Sequence, residues 1–278
     1  ARRNRAGDQD FQASLDRDAR RADSAKLAVR HSRNQHRVGS RETRSVVERR
    51  FGLRAGELEA RLGPAAVSIE YLDVFDERYE KIGTGSHAQV HREGLWHHTF
   101  HCWLIEQDSG KIVFQKRSEH KPLFPGKLDV SVAGHCRADE SPTAALEREG
   151  HEELGIHIPT ASLTPVGIRR VSYQSGTMIN REFQHIFVGY LPCALEDLRF
   201  TDGEVSAAVL LSSHELDRAW KGETIQAEAW NGESRFVLSI DNASFIADAD
   251  DYLVKIANLA RVPGEFATAG TVFHHLNA

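Results

Sequence analysis

The stretch from Gly134 to Ile156 constrains this chain most, because its local chemistry permits little besides a loop, a helix and a stop. Ser141 is a good N-cap, and Pro142 falls at the first helical position, where a missing N–H costs nothing. Thr143 to Leu154 holds mostly good helix formers, and Gly155 suits the left-handed position that ends a helix. Glu149, Glu152 and Glu153 stand at i, i+3 and i+4 of that helix, so their carboxylates share one face. They repel one another, and they lie toward the helix C-terminus, where the dipole disfavours anions. Stability alone gives no reason for such an arrangement. A hard divalent cation that takes oxygen ligands, Mg²⁺ or Mn²⁺, does give one. Magnesium shares its shell with water and substrate phosphate, so a metal-assisted phosphate site is expected. Arg148 is placed to pair with a carboxylate and orient it. The competing reading is a solvated acidic helix face.

Around this segment the chain divides by charge. The 278 residues carry a formal charge of -5, which argues against a dedicated nucleic-acid binder. Residues 1–62 nevertheless hold 16 Lys+Arg against 9 Asp+Glu, a balance of +7 that leaves -12 for the rest. Such a segment is too poor in large apolar residues to offset its ordering entropy. Residues 1–66 therefore read as a basic, partly disordered extension, with a short helix near Arg44 to Leu62 and, as its functional alternative, an arm for RNA or a membrane surface. No stretch approaches 18 uninterrupted apolar residues, so no membrane-spanning helix is expected. Cys102, Cys136 and Cys193 are odd in number and widely spaced, which predicts no disulfide framework and a reducing, cytoplasmic setting.

From Val67 onward, hydrophobic patterning predicts strands at 67–75, 96–105, 111–116, 128–132, 165–173, 182–191, 205–211 and 235–240. It predicts helices at 141–154, 213–220 and 247–259. The turn at Gln107-Asp-Ser-Gly110 marks a hairpin. Strands and helices mix without a regular βαβ alternation, which implies an α/β sandwich around a mixed sheet rather than a doubly wound one. A main domain over 67–221 and a C-terminal extension over 222–278, packed on it and able to build a homodimer contact, follow from this pattern.

The acidic segment fits the pattern G-x5-E-x7-R-E-U-x-E-E-x-G-U, with U apolar, at all seven fixed residues. Chance would supply that on the order of once in a hundred million windows. The pattern is the Nudix box, and the chain resembles the Nudix hydrolase family. One apolar slot holds Gly150 instead, which weakens a helix interior unless it permits close packing on the sheet. The resemblance implies a Nudix-type α/β/α sandwich over about 67–220. It implies Mg²⁺ or Mn²⁺ on Glu149, Glu152 and Glu153, with Arg148 holding a glutamate in place. Gly134 would let the loop turn tightly, and Glu140 would partner Arg148. The implied reaction is attack of metal-activated water on a small-molecule diphosphate, either a nucleoside diphosphate linked to another moiety or a related organic diphosphate. A later loop often adds a carboxylate in this family, and Glu204 matches that place as base or further ligand.

The flanks resemble the isopentenyl-diphosphate isomerase-like branch through His97-His-Thr-Phe-His101-Cys-Trp103, Phe124-Pro-Gly126 and Ser131-Val-Ala-Gly-His135. Those isomerases use a cysteine just before the Gly-His pair, together with histidine metal ligands. Here Ala133 takes the cysteine's place, which favours a hydrolase over an isomerase. A non-catalytic ligand sensor is the third alternative. If the strand at 96–105 alternates, His97, His101 and Trp103 share a face, and the histidines there could hold substrate phosphate or a second metal. His135, Arg117 and Lys127 are the candidate substrate-binding residues; Tyr173, Phe183 and Phe187 are candidates for a pocket wall or the core.

Overall fold

The computed structural model describes residues 70–175, 178–246 and 251–261. The expectations for residues 1–66, and for most of the extension beyond 261, lie outside the described residues.

The strands β1 (Tyr71–Phe75), β2 (Lys81–Ser86), β3 (Trp96–Ile105), β4 (Ile112–Arg117), β5 (Leu128–Asp129), β6 (Val132–His135), β7 (Thr164–Ser175), β8 (Met178–Tyr190), β9 (Val205–Leu211), β10 (Ile225–Trp230) and β11 (Arg235–Ile240) join one mixed sheet. Among the described residues four helices accompany them: α1 (His87–Glu93), α2 (Pro142–Leu154), α3 (Ser213–Trp220) and α4 (Tyr252–Ala260). β3 organises the sheet. One edge runs parallel to β8 from Trp96↔Arg181 to Ile105↔Tyr190. The other edge pairs in turn with β1, β6 and β4. The hairpin predicted at residues 107–110 is therefore only two pairs long, Leu104↔Val113 and Ile105↔Ile112, before β4 turns away to β9. Where β3 and β4 part, the buried Ser131 hydroxyl bridges them, accepting from the Leu104 N–H at 2.9 Å and donating to the Val113 carbonyl. This replaces a ladder bond and splits the single strand expected at 128–132 into β5 and β6.

The period of two sorts the side chains of β3 into two layers. Phe100, Cys102 and Leu104 face a core shared with Leu146, Leu154 and Ile158 of the α2 region. Trp103 and Ile105 face the opposite core, shared with Leu216 of α3 and with Tyr252, Leu253 and Ile256 of α4. The result is the α/β/α sandwich that the sequence implied. β10 and β11 continue the same sheet beyond β9, so chain past residue 222 is built into it edge to edge. Among the described residues no helix is long and apolar enough to cross a membrane.

α2 forms as its chemistry dictates. Ser141 Oγ accepts from the Ala144 N–H at 3.2 Å, and Gly155 closes the helix at φ 69°. Gly150 permits close packing, but against the loop after the helix rather than against the sheet. A Cβ at 150 would stand 2.7 Å from Cδ1 of the fully buried Ile158. Alanine gains about 1 kcal/mol over glycine inside a helix, and overpacking costs about 1–3 kcal/mol. Gly150→Ala is thus expected to lower stability in urea unfolding, by about 1 kcal/mol net; a more stable variant would contradict this packing.

Candidate active site

The acidic end of α2 opens on a cavity of about 810 Å³, lined on this side by Glu149, Glu152, Glu153, Gly134 and His135. Glu204, in the turn before β9, lines it as well. The four carboxylates singled out from the sequence thus meet at one cavity, though they come from two segments 51 residues apart (153 to 204).

Arg148 is the hub beneath them. Its Nε and Nη2 reach the two oxygens of Glu140, each at 2.9 Å, and Nη2 also donates to the His135 carbonyl at 3.1 Å. Nη1 holds Glu149 Oε1 at 2.5 Å and Glu152 Oε2 at 3.2 Å. Burial works against the guanidinium's charge, but its bonds to Glu140 and Glu149 outweigh that and hold its pKa above the usual value. Only one oxygen each of Glu149 and Glu152 is engaged, so among the described residues the other oxygen of each has no cationic partner. Glu153 is 5% exposed, and among the described residues its hydrogen-bond partner is Gln115 Nε2, at 3.4 Å. Burial first, and then the neighbouring Glu149, pushes its carboxyl well above the ordinary value. Burial also raises Glu149, although Arg148 opposes the shift. Gly134 has a reason beyond the turn: a Cβ there would stand 2.9 Å from both Cγ and Oε1 of Glu149. The missing side chain is what leaves Glu149 room at the cavity.

The substrate-binding candidates separate. His135 and Arg117 line the cavity. Arg117 is engaged there, with Asp129 at 2.8 Å and the Leu123 carbonyl at 3.1 and 3.2 Å, so it braces the segment 118–127. Lys127 does not line the cavity; its ammonium donates to the Ala243 carbonyl, which turns it away from the role its sequence position implied. Tyr173 lines the cavity, whereas Phe183 and Phe187 are buried in the core. His101 and Trp103 do share a face, both held by the Tyr252 hydroxyl of α4 at 2.9 and 2.8 Å.

Beside the acidic cluster lies a second group. His87, His91 and His135 form one set, and His97, His135 and Glu182 another, with the ligand atoms of each set within 4.8 Å. Burial holds His87, His97 and His135 below the ordinary imidazole value, which keeps their ring lone pairs unprotonated near neutrality. Among the described residues His97 Nε2 is buried without a hydrogen-bond partner. Glu182 receives Thr99 Oγ1 at 3.3 Å and the amides of Asn180 and Gln184, each at 2.5 Å. His87 and Glu182 were not singled out from the sequence. The available signal was the every-other-residue row of uncharged amides and a carboxylate, Asn180, Glu182 and Gln184, on one face of the strand. No thiol reaches the cavity: Cys136 lies past the Gly134 turn at 2% exposure, and burial pushes its pKa up to about 12.

A mixed sheet sandwiched by helices, with a glutamate-bearing helix closing a cavity, defines a class of protein. A model of the NUDIX domain matches residues 95–230. An uncharacterised Nudix hydrolase of Clostridium acetobutylicum is 38% identical over 151 residues, which cover 54% of this chain and 73% of that protein. Nudix hydrolase 3 of Arabidopsis thaliana is 31% identical over 143 residues, 50% of this chain but 18% of its own length. An uncharacterised Nudix hydrolase of Yersinia pestis is 38% identical over 93 residues, covering 34% of this chain and half of that protein. A crystal structure from Deinococcus radiodurans aligns over 69% of this chain and 98% of its own, at 23% identity and a TM-score of 0.44. The chain belongs to the Nudix hydrolase family.

Proposed function

We propose that this protein hydrolyses an organic diphosphate, such as a nucleoside diphosphate linked to another moiety, with Mg²⁺ or Mn²⁺ held by Glu149, Glu152 and Glu153. The observation that carries this reading is the meeting of those three carboxylates and Glu204 at one cavity, where each of the three keeps an oxygen unclaimed by any described cation. Hard oxygen donors of this kind suit Mg²⁺ or Mn²⁺. A divalent ion supplies Lewis acidity to water and offsets phosphate charge. The chain's own residues do the rest. Arg148 fixes the rotamers of Glu149 and Glu152, so the site is organised before substrate arrives. Glu204 stands at the cavity as the candidate base. His135 and the arginines of the far wall, Arg169 and Arg170, face the room left for the organic moiety.

The histidine and Glu182 sets favour a second, softer ion, because imidazole nitrogen suits zinc and its neighbours better than magnesium. The lack of any thiol at the cavity weighs against isomerase chemistry, in which a thiol moves the proton. A sensor would have no need for three oriented carboxylates.

The test is a panel of dinucleotide, nucleotide-sugar, nucleoside and isoprenoid diphosphates with Mg²⁺, read as released phosphate or monophosphate. At least one is expected to be hydrolysed, with activity lost in EDTA and restored by Mg²⁺. Conversion of isopentenyl diphosphate without phosphate release would replace the hydrolase reading with the isomerase one.

A further inference from the structure

Five described cations line the cavity, and four of them are tied to groups outside the acidic cluster. Arg117 pairs with Asp129, Arg137 with Glu70, Arg169 with Gln184 and Arg170 with Glu77. The fifth, Lys121, places its ammonium on the carboxylate of Glu204. The backbone around it is fixed. The Ser118 N–H donates to the Glu204 carbonyl at 2.8 Å, and the Lys121 N–H donates to the Ser118 carbonyl at 3.2 Å. Arg117 holds the Leu123 carbonyl, and Phe124 is buried. Lys121 is therefore a flexible four-carbon arm on a rigid mount, at the mouth of a site crowded with negative charge and 22% exposed.

We propose that Lys121 is a positioning residue for hydrolysis, a tethered counter-ion that neutralises Glu204 before metal loads and releases it to the incoming ion and diphosphate. This inference rests on the hydrolase reading above. An ammonium competes with a divalent ion for a carboxylate, so the tether weakens metal binding in the substrate-free protein. Once displaced, it stands beside the phosphates and favours their binding.

Mn²⁺ binding to the full chain without substrate, followed by the EPR signal of free Mn²⁺, tests the exchange. Lys121→Met is expected to tighten Mn²⁺ binding about 3- to 10-fold, whereas Lys121→Arg, which keeps the charge, stays within about twofold of the native protein. In a Glu204→Gln background the Lys121→Met effect is expected to shrink to within about twofold, as a double-mutant cycle requires of a direct pair. With a substrate from the diphosphate panel, Lys121→Met is expected to raise KM several-fold. Unchanged Mn²⁺ affinity in Lys121→Met, or an undiminished effect in the Glu204→Gln background, overturns the proposal. If the native protein hydrolyses none of the panel yet shows the Mn²⁺ shift and its loss with Glu204, the hydrolase reading fails while the counter-ion role stands.

Discussion

Glu153→Gln is expected to lower kcat/KM by at least about a hundredfold, the loss usual when one charged group that stabilises a transition state is removed. The same substitution should leave thermal stability unchanged or raise it. Glu153 is nearly enclosed, its carboxyl is pushed up by burial, and Gln115 is its one described hydrogen-bond partner. Burying a charge without a counter-ion is costly, so the neutral amide suits the apo protein at least as well. Such a residue is retained against stability, the pattern expected of a functional group. Glu152→Gln should lose activity to a similar degree with no stability gain, because Glu152 is exposed and already shares Arg148. Steady-state kinetics with the best panel substrate and parallel melting curves check both variants. Near-native turnover in the two of them would remove the metal assignment.

Replacing Arg148 is expected to have the largest effect on stability. Its guanidinium serves Glu140, Glu149, Glu152 and the His135 carbonyl at once, at 15% side-chain exposure. Arg148→Met strands two half-buried carboxylates and should cost about 2–4 kcal/mol in urea unfolding. Arg148→Lys should recover only part of this, since a single ammonium cannot reproduce the bidentate grip on Glu140. The pH dependence has a definite sign. Burial pushes Glu140 up, but its bonds to Arg148 outweigh that and leave its carboxyl below the ordinary value. Its contribution is therefore complete above about pH 4.5 and is lost as pH falls through the folded-state pKa. The stability gap between native protein and Arg148→Met should narrow in acid; a gap that is constant down to pH 3 would contradict the ion-pair account.

The parts of the fold legible in the sequence are those whose pattern and packing agree. β3, β9, β11 and α3 occupy the ranges their periodicity predicts, because each presents one or both faces to the core over its whole length. The elements not anticipated lack that signal. β2 is a glycine-bearing edge strand, mostly exposed, and α1 is seven residues long with Val90 as its one large apolar side chain, held by the Ser86 N-cap and Gly94. β10 did carry an alternation, Ile225, Ala227, Ala229, but alanine is too small to mark a strand strongly. The acidic half of the site was readable because a helix converts spacing into a shared face. The histidine half was legible only in part: the sequence marked His97 and His135 as candidates but not His87 or Glu182, because these come from other elements that only the fold brings beside them. Lys127 shows the converse: a basic residue near the box in sequence is held away from the cavity by a carbonyl distant in the chain, that of Ala243.

The most direct measurement is anomalous diffraction from crystals of the native protein grown with Mn²⁺. The account predicts a peak within coordinating distance of the carboxylates of Glu149, Glu152 and Glu153, absent from crystals of Glu153→Gln. Manganese found only among the histidines around His135, or no peak at these carboxylates at saturating metal, would contradict it.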